Sequence, residues 1–187
     1  MALTALDPET ALLVTDKQKG IVQLRCAPPM AGVIGHVAEL AQAFRKHSAP
    51  VVLVNVAGGA PGRIEQTKRM GDLPADQTEL IPELNARASD HFVTKRTWGA
   101  FVHTDLHEHL QELDVTQVVI VGVATSIGVE STARQAYELG YNVALATDAM
   151  TDMNADAHEN SVARIFPRLG ETGSTAEAIE LLADQRN

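Results

Sequence analysis

Short runs of apolar, mostly β-branched residues alternate along this chain with segments in which apolar residues recur at helical spacing. The run VVIV at 118–121 has no polar alternation, which is typical of a strand covered on both faces of a parallel sheet. This alternation predicts an α/β fold with three layers, in which helices cover both faces of a mostly parallel six-stranded sheet. The predicted strands are 11–15, 51–56, 91–95, 118–121, 142–147 and a weak 171–173; the predicted helices are 31–47, 104–113, 129–140, 155–169 and 175–183.

Several residues mark where the predicted helices begin and end. Gly140 suits the position just past a helix end, and Pro167 is expected to end or kink the helix predicted over 155–169. Thr104 fits an N-cap, and Ser174 with Glu177 forms the pattern of a capping box. These signals support the predicted order of elements.

The segment 57–90 differs from the rest because it is long, polar and rich in Gly and Pro. It contains one possible short helix near 80–86. Segments of this kind in compact domains are commonly substrate loops or lids. We therefore expect part of a binding site here.

Composition restricts the class of protein. The 187 residues, 45% of them hydrophobic, suit a single domain over 1–187, and no apolar run approaches the ~20 residues that span a bilayer. The 15 basic and 24 acidic residues give a net charge of −9, which argues against nucleic acid or an anionic membrane as partner. The single cysteine, Cys26, excludes an internal disulfide and a cysteine-based zinc site. The N-terminus shows no signal-peptide pattern, so a cytoplasmic location is the expectation.

Candidate chemistry collects where three predicted strands end. Asp16 follows the first strand, Lys95 closes the third, and the turn 122–128 follows the fourth. Ligands of open α/β sheets bind outside the carboxyl ends of the strands. If these three strands lie side by side, the Asp16 carboxyl group and the Lys95 amine meet beside a turn of small residues. Burial and their opposite charges can then shift the pKa values of both groups.

Three segments carry a resemblance that covers nearly the whole chain, from 11 to 183. TDKQKG around Asp16, TKRTWGAF around Lys95 and GVATSIGVESTA from Gly122 resemble the signatures of the isochorismatase-like hydrolases, also called the cysteine hydrolase superfamily. The resemblance implies the three-layer α/β fold, assembly into homodimers or larger oligomers, and a cis peptide between Val123 and Ala124. It assigns catalytic roles to Asp16 and Lys95.

The residue at position 128 distinguishes two kinds of chemistry within the family that the chain resembles. Amide-cleaving members, such as nicotinamidases, place a nucleophilic cysteine at this position, whereas Gly128 has no side chain and allows no thioester. A glycine at this position resembles the pattern of the isochorismatases. In those enzymes a protonated Asp delivers a proton to the vinyl ether of isochorismate, and water attacks the resulting cation. The Asp-x-His metal pair of nicotinamidases is also absent after the second strand. We therefore expect a hydrolase without metal or cofactor, with Asp16 as general acid.

Substrate contacts are predicted around this site. Arg63 offers a planar fork for a carboxylate, and Gln66 lies in the same loop. Lys17, beside Asp16, is a cation that lowers the pKa of a neighbouring acid. The partner is expected to be a small molecule, with an anion among the candidates. The predicted substrate-binding residues are Arg63, Gln18, Trp98, Phe101, Val123, Ala124, Thr125 and Ile127.

Other readings of the same residues stay open. Cys26 is either a displaced nucleophile or a small apolar filler. Ser126, Asp148 and His158 follow the chain order of an α/β-hydrolase triad, although Ala124 replaces the first glycine of the nucleophile elbow. A binding or scaffold member of the fold without catalytic activity is the remaining alternative, because fold alone does not define function.

His103 and His107 have the spacing of a metal-binding pair on a helix. No acidic or cysteine partner is obvious nearby in the sequence. A solvated helix face is therefore the preferred interpretation.

Overall fold

The computed structural model describes residues 3–65 and 71–185. Its centre is one six-stranded sheet in the order β3-β2-β1-β4-β5-β6, and every neighbouring pair of strands is parallel. The predicted α/β fold with a parallel sheet is therefore confirmed. The strands are β1 (Thr10–Thr15), β2 (Val51–Val56), β3 (His91–Lys95), β4 (Gln117–Val123), β5 (Asn142–Thr151) and β6 (Glu171–Gly173).

Helices connect these strands and cover the sheet. Two of the connections also contain π-helical turns, at Thr125–Val129 and Ser161–Ile165, and two short 3₁₀ turns span Pro82–Leu84 and Phe166–Arg168. The helices are α1 (Lys19–Val22), α2 (Met30–Lys46), α3 (Ala75–Thr78), α4 (Leu106–Glu112), α5 (Glu130–Glu138), α6 (Ala155–Asn160) and α7 (Thr175–Asp184).

The alternation of side chains along the central strands builds two hydrophobic cores. In β1, Leu12 and Val14 face a core shared with α2 and α7, whereas Ala11 and Leu13 face a core shared with α4 and α5. All four side chains are almost completely buried. Strands buried on both faces need no polar alternation, which explains why their sequences are continuous apolar runs.

The order of the strands differs from the arrangement assumed in the sequence analysis. β3 is an edge strand that pairs only with β2, so strands one, three and four do not lie side by side. β2 lies between β3 and β1, and it pairs with β1 through four residue pairs. The carboxyl ends of β1, β3 and β4 nevertheless reach the same edge of the sheet because all strands run in one direction.

Several element bounds also differ. β5 continues through Asp148 to Thr151, after a register shift against β4 between Ile120 and Gly122. The long helix predicted over 155–169 is broken into α6 and two irregular turns, and Pro167 lies in the last of these. The N-cap of α4 is Asp105 instead of Thr104, whose hydroxyl donates to the Ala100 carbonyl. The helix predicted near 80–86 is reduced to a 3₁₀ turn.

The capping box of α7 is present as predicted. The Ser174 hydroxyl accepts the Glu177 amide at 3.2 Å, and the Glu177 carboxylate accepts the Ser174 amide at 2.7 Å. Within the described part of the chain, no helix has both the length and the apolar character to cross a membrane.

Candidate active site

Asp16 stands directly after β1 in an unusual backbone conformation. Its φ of 56° lies in the left-handed region, which Asp tolerates better than most residues. Its amide donates to the Val54 carbonyl at 2.8 Å, so the end of β2 holds the residue in place. The β1 end therefore fixes both the position and the direction of this carboxyl group.

Lys95, the last residue of β3, supplies the amine that meets it. Its long side chain reaches past the end of β2, and Nζ donates to Asp16 Oδ2 at 2.8 Å and to the Trp98 carbonyl at 2.7 Å. Only 2% of the Lys95 side chain and 8% of the Asp16 side chain are exposed to solvent. The predicted acid and base thus form a buried pair although their strands are not adjacent.

Burial controls the protonation of Asp16. Loss of water raises the pKa of its carboxyl group from 3.8 to about 6, and this effect exceeds the opposite effects of the Lys95 charge, the Lys95 hydrogen bond and the Lys17 charge. Oδ1 is shielded from solvent and has no hydrogen-bond partner among the described residues. A pKa of about 6 leaves a minor fraction of these carboxyl groups protonated at neutral pH and most of them protonated below pH 6.

Lys17 is a second buried amine next to Asp16. Its side chain is fully buried, and Nζ lies 3.4 Å from the thioether sulfur of Met30. Burial lowers the pKa of Lys17 to about 7, against smaller effects of Cys26 and Asp16 that raise it. The Lys17 charge lowers the pKa of Asp16 less than the Lys95 charge does, and burial outweighs this expected weakening of the general acid.

The turn after β4 carries the predicted cis peptide between Val123 and Ala124. The amides of Ile127 and Val129 both donate to the Ala124 carbonyl at 3.1 Å. The Ser126 amide donates to Asp152 Oδ2 at 2.8 Å. These three amides are engaged within the protein and are not free to donate to a substrate oxygen.

Gly128 brings the turn into contact with the acid and the amine. A Cβ atom on this residue would lie 2.9 Å from Asp16 Oδ2, 2.9 Å from the Val123 carbonyl and 3.4 Å from Lys95 Nζ. Any side chain here would crowd Asp16 and the Val123 carbonyl, so glycine lets the turn pack directly against the acid–amine pair. A substrate in the cleft that these residues line would therefore lie next to both ionisable groups.

The cleft lies at the carboxyl edge of the sheet and has a volume of about 250 Å³. Seven predicted site residues lie in its wall: Asp16, Lys95, Gly128, Trp98, Val123, Ala124 and Ile127. The remaining lining residues, which sequence reasoning missed, are Ile21, Leu24, Val56, Gly58, Gly59, Ile64, Thr97 and Met153. Most of the missed side chains are apolar and come from loops or strand ends, where no periodic pattern marks them.

Four predicted substrate contacts lie outside this wall. The Gln18 amide group bonds to both backbone atoms of Val56, at 2.9 and 2.7 Å, and thus fixes the loop instead of facing the cleft. The ring of Phe101 stacks on Tyr141 in the core, with 5.9 Å between the ring centroids. The Thr125 hydroxyl is buried and contacts His158, and Arg63 is exposed and does not line the cleft. Gln66 falls outside the described residues.

The serine triad considered in the sequence analysis is not assembled. Ser126 Oγ donates to Asp152 at 2.8 Å, whereas His158 Nδ1 pairs with the Thr125 hydroxyl at 2.8 Å. Asp148 accepts the amide and the hydroxyl of Thr175, at 2.8 and 2.9 Å, at the start of α7. The three proposed members therefore have separate structural partners.

Neither Cys26 nor the histidine pair joins the cleft. Cys26 is absent from the cleft wall, and burial raises the pKa of its thiol, which disfavours the nucleophilic thiolate. His103 precedes α4 instead of lying on it, and His107 Nδ1 contacts the Tyr141 hydroxyl at 2.9 Å. Among residues 3–65 and 71–185, no three His, Cys, Asp or Glu side chains form a potential metal-binding group.

Fold and site together define a class of protein: a parallel α/β domain with a buried acid–amine pair and a glycine turn at the carboxyl edge of its sheet. Residues 10–177 match the family model of the isochorismatase domain, and the chain belongs to this family. It is 41% identical over 179 residues to YwoC, an uncharacterized isochorismatase family protein of Bacillus subtilis, with 92% of this chain and 93% of the relative covered.

Two further similarities extend over nearly the full chain. YecD, an uncharacterized isochorismatase family protein of Escherichia coli O157:H7, is 38% identical over 182 residues, with 92% of this chain and 96% of the relative covered. The solved structure of an isochorismatase family protein from Burkholderia thailandensis has a TM-score of 0.91 at 36% identity and covers 96% of this chain and 98% of its own.

Proposed function

We propose that this protein hydrolyses a vinyl ether, such as isochorismate, without forming a covalent intermediate. Membership of the isochorismatase family supports hydrolysis as the type of reaction. The observation that carries the finer proposal is the place and state of Asp16, a carboxyl group in the cleft wall whose pKa is raised to about 6 by burial. A vinyl ether needs a proton donor of this kind, because its hydrolysis begins with protonation of carbon.

The reaction assigns one step to each group of the site. Asp16 transfers its proton to the terminal carbon of the vinyl ether, whose π electrons form the new C–H bond. The adjacent carbon becomes an oxocarbenium ion, and water adds to it. The protonated hemiketal that results returns one proton to the Asp16 carboxylate, which regenerates the carboxyl group. Its remaining hydroxyl proton passes to the alcohol oxygen as the C–O bond breaks, and a ketone and an alcohol are released.

Lys95 supports the first step electrostatically. Proton transfer leaves a carboxylate on Asp16, and the Lys95 ammonium at 2.8 Å from Oδ2 stabilises that negative charge as it develops. Because the pair is buried, water screens this interaction little. Lys95 therefore lowers the energy of the charge-separated state without contacting the reacting carbon.

Gly128 favours this chemistry over amide cleavage. Amide hydrolysis by the cysteine route needs a thiol on the turn, and Gly128 provides none. Among the described residues of the cleft wall there is also no Cys or Ser. Glycine instead lets the turn pack directly against Asp16 and Lys95, which line the same cleft.

An assay of pyruvate release from isochorismate tests the proposal, with Asp16→Asn as the test variant and Asp148→Asn as its matched control. Asp148 is an acid of the same size outside the cleft wall, and an asparagine there still accepts the bonds from Thr175. We expect turnover by the wild type and by Asp148→Asn, and loss of at least roughly a hundredfold in Asp16→Asn. Turnover by neither wild type nor control, of isochorismate or of a panel of small amides, would instead support a binding or scaffold protein.

We also propose that the protein works as a homo-oligomer, as the family resemblance implies. Leu24, Ile64, Trp98 and Met153 rim the cleft with exposed apolar surface. Apolar patches of this kind commonly mark contact sites. Light scattering on the purified protein is expected to give the mass of two or more chains, and a mass of one chain at all concentrations would contradict this proposal.

A further inference from the structure

The segment 96–101, which follows β3, has no regular secondary structure, and yet it carries a group that binds the Lys95 ammonium. Lys95 Nζ donates to Asp16 Oδ2 at 2.8 Å and to the Trp98 carbonyl at 2.7 Å. The Trp98 carbonyl therefore helps to set where the ammonium lies relative to the acid. The position of this carbonyl depends in turn on what holds the segment.

Side chains hold the segment where regular backbone pairing is missing. The Ala100 amide donates to Thr132 Oγ1 at 3.2 Å, and the Ala100 carbonyl accepts the Thr104 hydroxyl at 2.6 Å. The Phe101 amide donates to Gln135 Oε1 at 3.1 Å. Thr132 and Gln135 both lie on α5, so this helix supports the segment from one side.

Gln135 also packs against the backbone of the segment. A Cβ atom on Gly99 would overlap the carboxamide group of Gln135, so glycine allows this close approach. The segment is therefore in direct contact with α5 immediately after Trp98.

The Thr132 hydroxyl connects the segment to the turn that carries Gly128. It donates to the Gly128 carbonyl at 2.7 Å, one helical turn earlier, and Thr132 is fully buried. Threonines in helices commonly bond to the carbonyl four residues before them. Because this bond uses the only hydrogen of the hydroxyl, its lone pairs remain to accept the Ala100 amide. One oxygen atom thus joins the two segments that border the acid–amine pair.

We propose that Thr132 is a positioning residue, which fixes the Lys95 ammonium against Asp16 by holding the segment 96–101 to the turn. Its own side chain does not line the cleft. It acts through the Ala100 amide, two residues after the carbonyl that binds Lys95 Nζ. The effect on turnover rests on the proposed function, whereas the effect on the acid–amine pair can be measured without a substrate.

Thr132→Val and Thr132→Ser separate positioning from general support of the fold. Valine has a similar shape but no acceptor, so the buried Ala100 amide loses its bond and the segment is expected to move. Thr132→Ala lacks the acceptor as well and provides the same test if the valine variant does not fold. Serine keeps the hydroxyl and should preserve the position.

Thr175→Val is the matched control. The Thr175 hydroxyl is also buried and donates to Asp148 Oδ1 at 2.9 Å, at the start of α7 and outside the cleft wall. This variant therefore loses a buried hydroxyl bond without disturbing the segment or the turn.

The pKa of Asp16 is measured by ¹³C NMR of labelled carboxyl groups, with its signal assigned by its absence from Asp16→Asn. Two cations act on this carboxyl group, Lys95 and Lys17, and the segment holds Lys95. Weaker contact with Lys95 favours the neutral acid, so we expect the pKa in Thr132→Val to be higher by about 0.5 or more. Thr132→Ser and Thr175→Val should keep the wild-type value.

Steady-state turnover of isochorismate gives a second readout. We expect kcat to fall about tenfold in Thr132→Val while KM changes less than about twofold, and Thr132→Ser to retain most of kcat. An Asp16 pKa unchanged in Thr132→Val, beside the same loss of stability to urea as in Thr175→Val, would overturn the proposal. If the wild type does not hydrolyse isochorismate, the proposed function fails, and the NMR titration still decides the role of Thr132.

Discussion

Asp16 shows how two opposing effects of the fold can set one pKa. The ammonium of Lys95 favours the carboxylate, whereas removal from water favours the neutral acid, and the second effect is larger. The pKa of about 6 places the protonated form within reach of neutral pH. The residue is therefore suited to donate a proton, despite its short contact with a cation.

The pH dependence of catalysis follows from this pKa. The protonated Asp16 is the active form, so kcat/KM should be constant at lower pH and fall as the pH rises through about 6. In Lys95→Met the cation that favours the carboxylate is lost, so the fall should move to higher pH while the maximal rate decreases. Steady-state rates across a pH series check both effects. A fall that moves to lower pH in Lys95→Met would contradict the assignment.

Gly128→Ala tests how closely the turn packs against Asp16. Its Cβ would lie 2.9 Å from both Asp16 Oδ2 and the Val123 carbonyl, which is closer than real Cβ contacts. We expect a loss of roughly 1–3 kcal/mol in the free energy of unfolding and of most activity. Urea denaturation and the turnover assay measure the two effects.

The matched control for Gly128→Ala is Gly35→Ala on α2. A Cβ at Gly35 meets no atom within 4 Å, so the same substitution should stabilise the helix by about 0.5–1 kcal/mol and leave activity unchanged. If both variants behave alike, the close approach at Gly128 has no functional meaning.

The sequence identified the residues that carry chemistry better than the residues that shape the cleft. Asp16, Lys95 and Gly128 lie in local motifs at strand ends, so they could be found without coordinates. Ile21 and Met153 reach the cleft only because a four-residue helix and the extension of β5 bring them there. Nothing in their local sequence distinguishes them from core residues.

At the scale of elements, the turn between β4 and α5 is held by groups outside the cleft. Asp152, just after β5, accepts the Ser126 amide and hydroxyl through Oδ2 and the Asn154 amide through Oδ1. The side chain of His158 on α6 contacts the Thr125 hydroxyl from a second direction. These contacts fix the turn that carries Gly128, so we expect them to act on catalysis through its position.

Asp152→Ala and Ser126→Ala separate positioning from serine catalysis. Removing the Asp152 carboxylate leaves the Ser126 and Asn154 amides without their acceptor, which should cost roughly 1–3 kcal/mol of stability and lower kcat. Ser126→Ala keeps the hydrogen bond from the backbone amide of residue 126 to Asp152 and should retain nearly full activity. Activity measured beside urea denaturation tests both variants. An inactive but stable Ser126→Ala protein would revive the serine mechanism.

Element types were easier to predict than their order and their exact ends. Continuous apolar runs identify the four inner strands β1, β2, β4 and β5, whereas the edge strands β3 (HFVTK) and β6 (ETG) have no such run and β6 is only weakly signalled. The position of β3 at the edge depends on long-range pairing that no local pattern encodes. The break after α6 likewise reflects packing around the fully buried Phe166 as well as the nearby Pro167.

At the scale of the whole molecule, the single direction of all strands brings distant residues to one edge. Lys95 and Asp16 are separated by 79 positions in sequence and by the strand β2 in space, and yet they form a buried pair. The same arrangement buries Lys17 beside them. A fold that holds these charged groups away from water does so at a cost to its stability.

Lys17 makes that cost measurable. Its pKa is lowered from 10.5 to about 7, so the folded state binds fewer protons than the unfolded state between these values, and stability should rise with pH across this window. In Lys17→Met this rise of stability with pH should be absent. Below pH 7 the variant should be more stable than the wild type by about a few kcal/mol, the order of magnitude that corresponds to this pKa shift. Urea denaturation at several pH values tests this. Equal slopes for the two proteins would show that Lys17 is not buried as an amine.

The most direct test of the account is single-turnover hydrolysis of isochorismate in deuterated water, with mass spectrometry of both the pyruvate and the protein. Protonation of carbon by Asp16 predicts pyruvate that carries one deuterium in its methyl group, an unmodified protein at every time point, and no product from Asp16→Asn. A covalent adduct on the protein, or labelled pyruvate formed at the wild-type rate by Asp16→Asn, would contradict general-acid catalysis by Asp16.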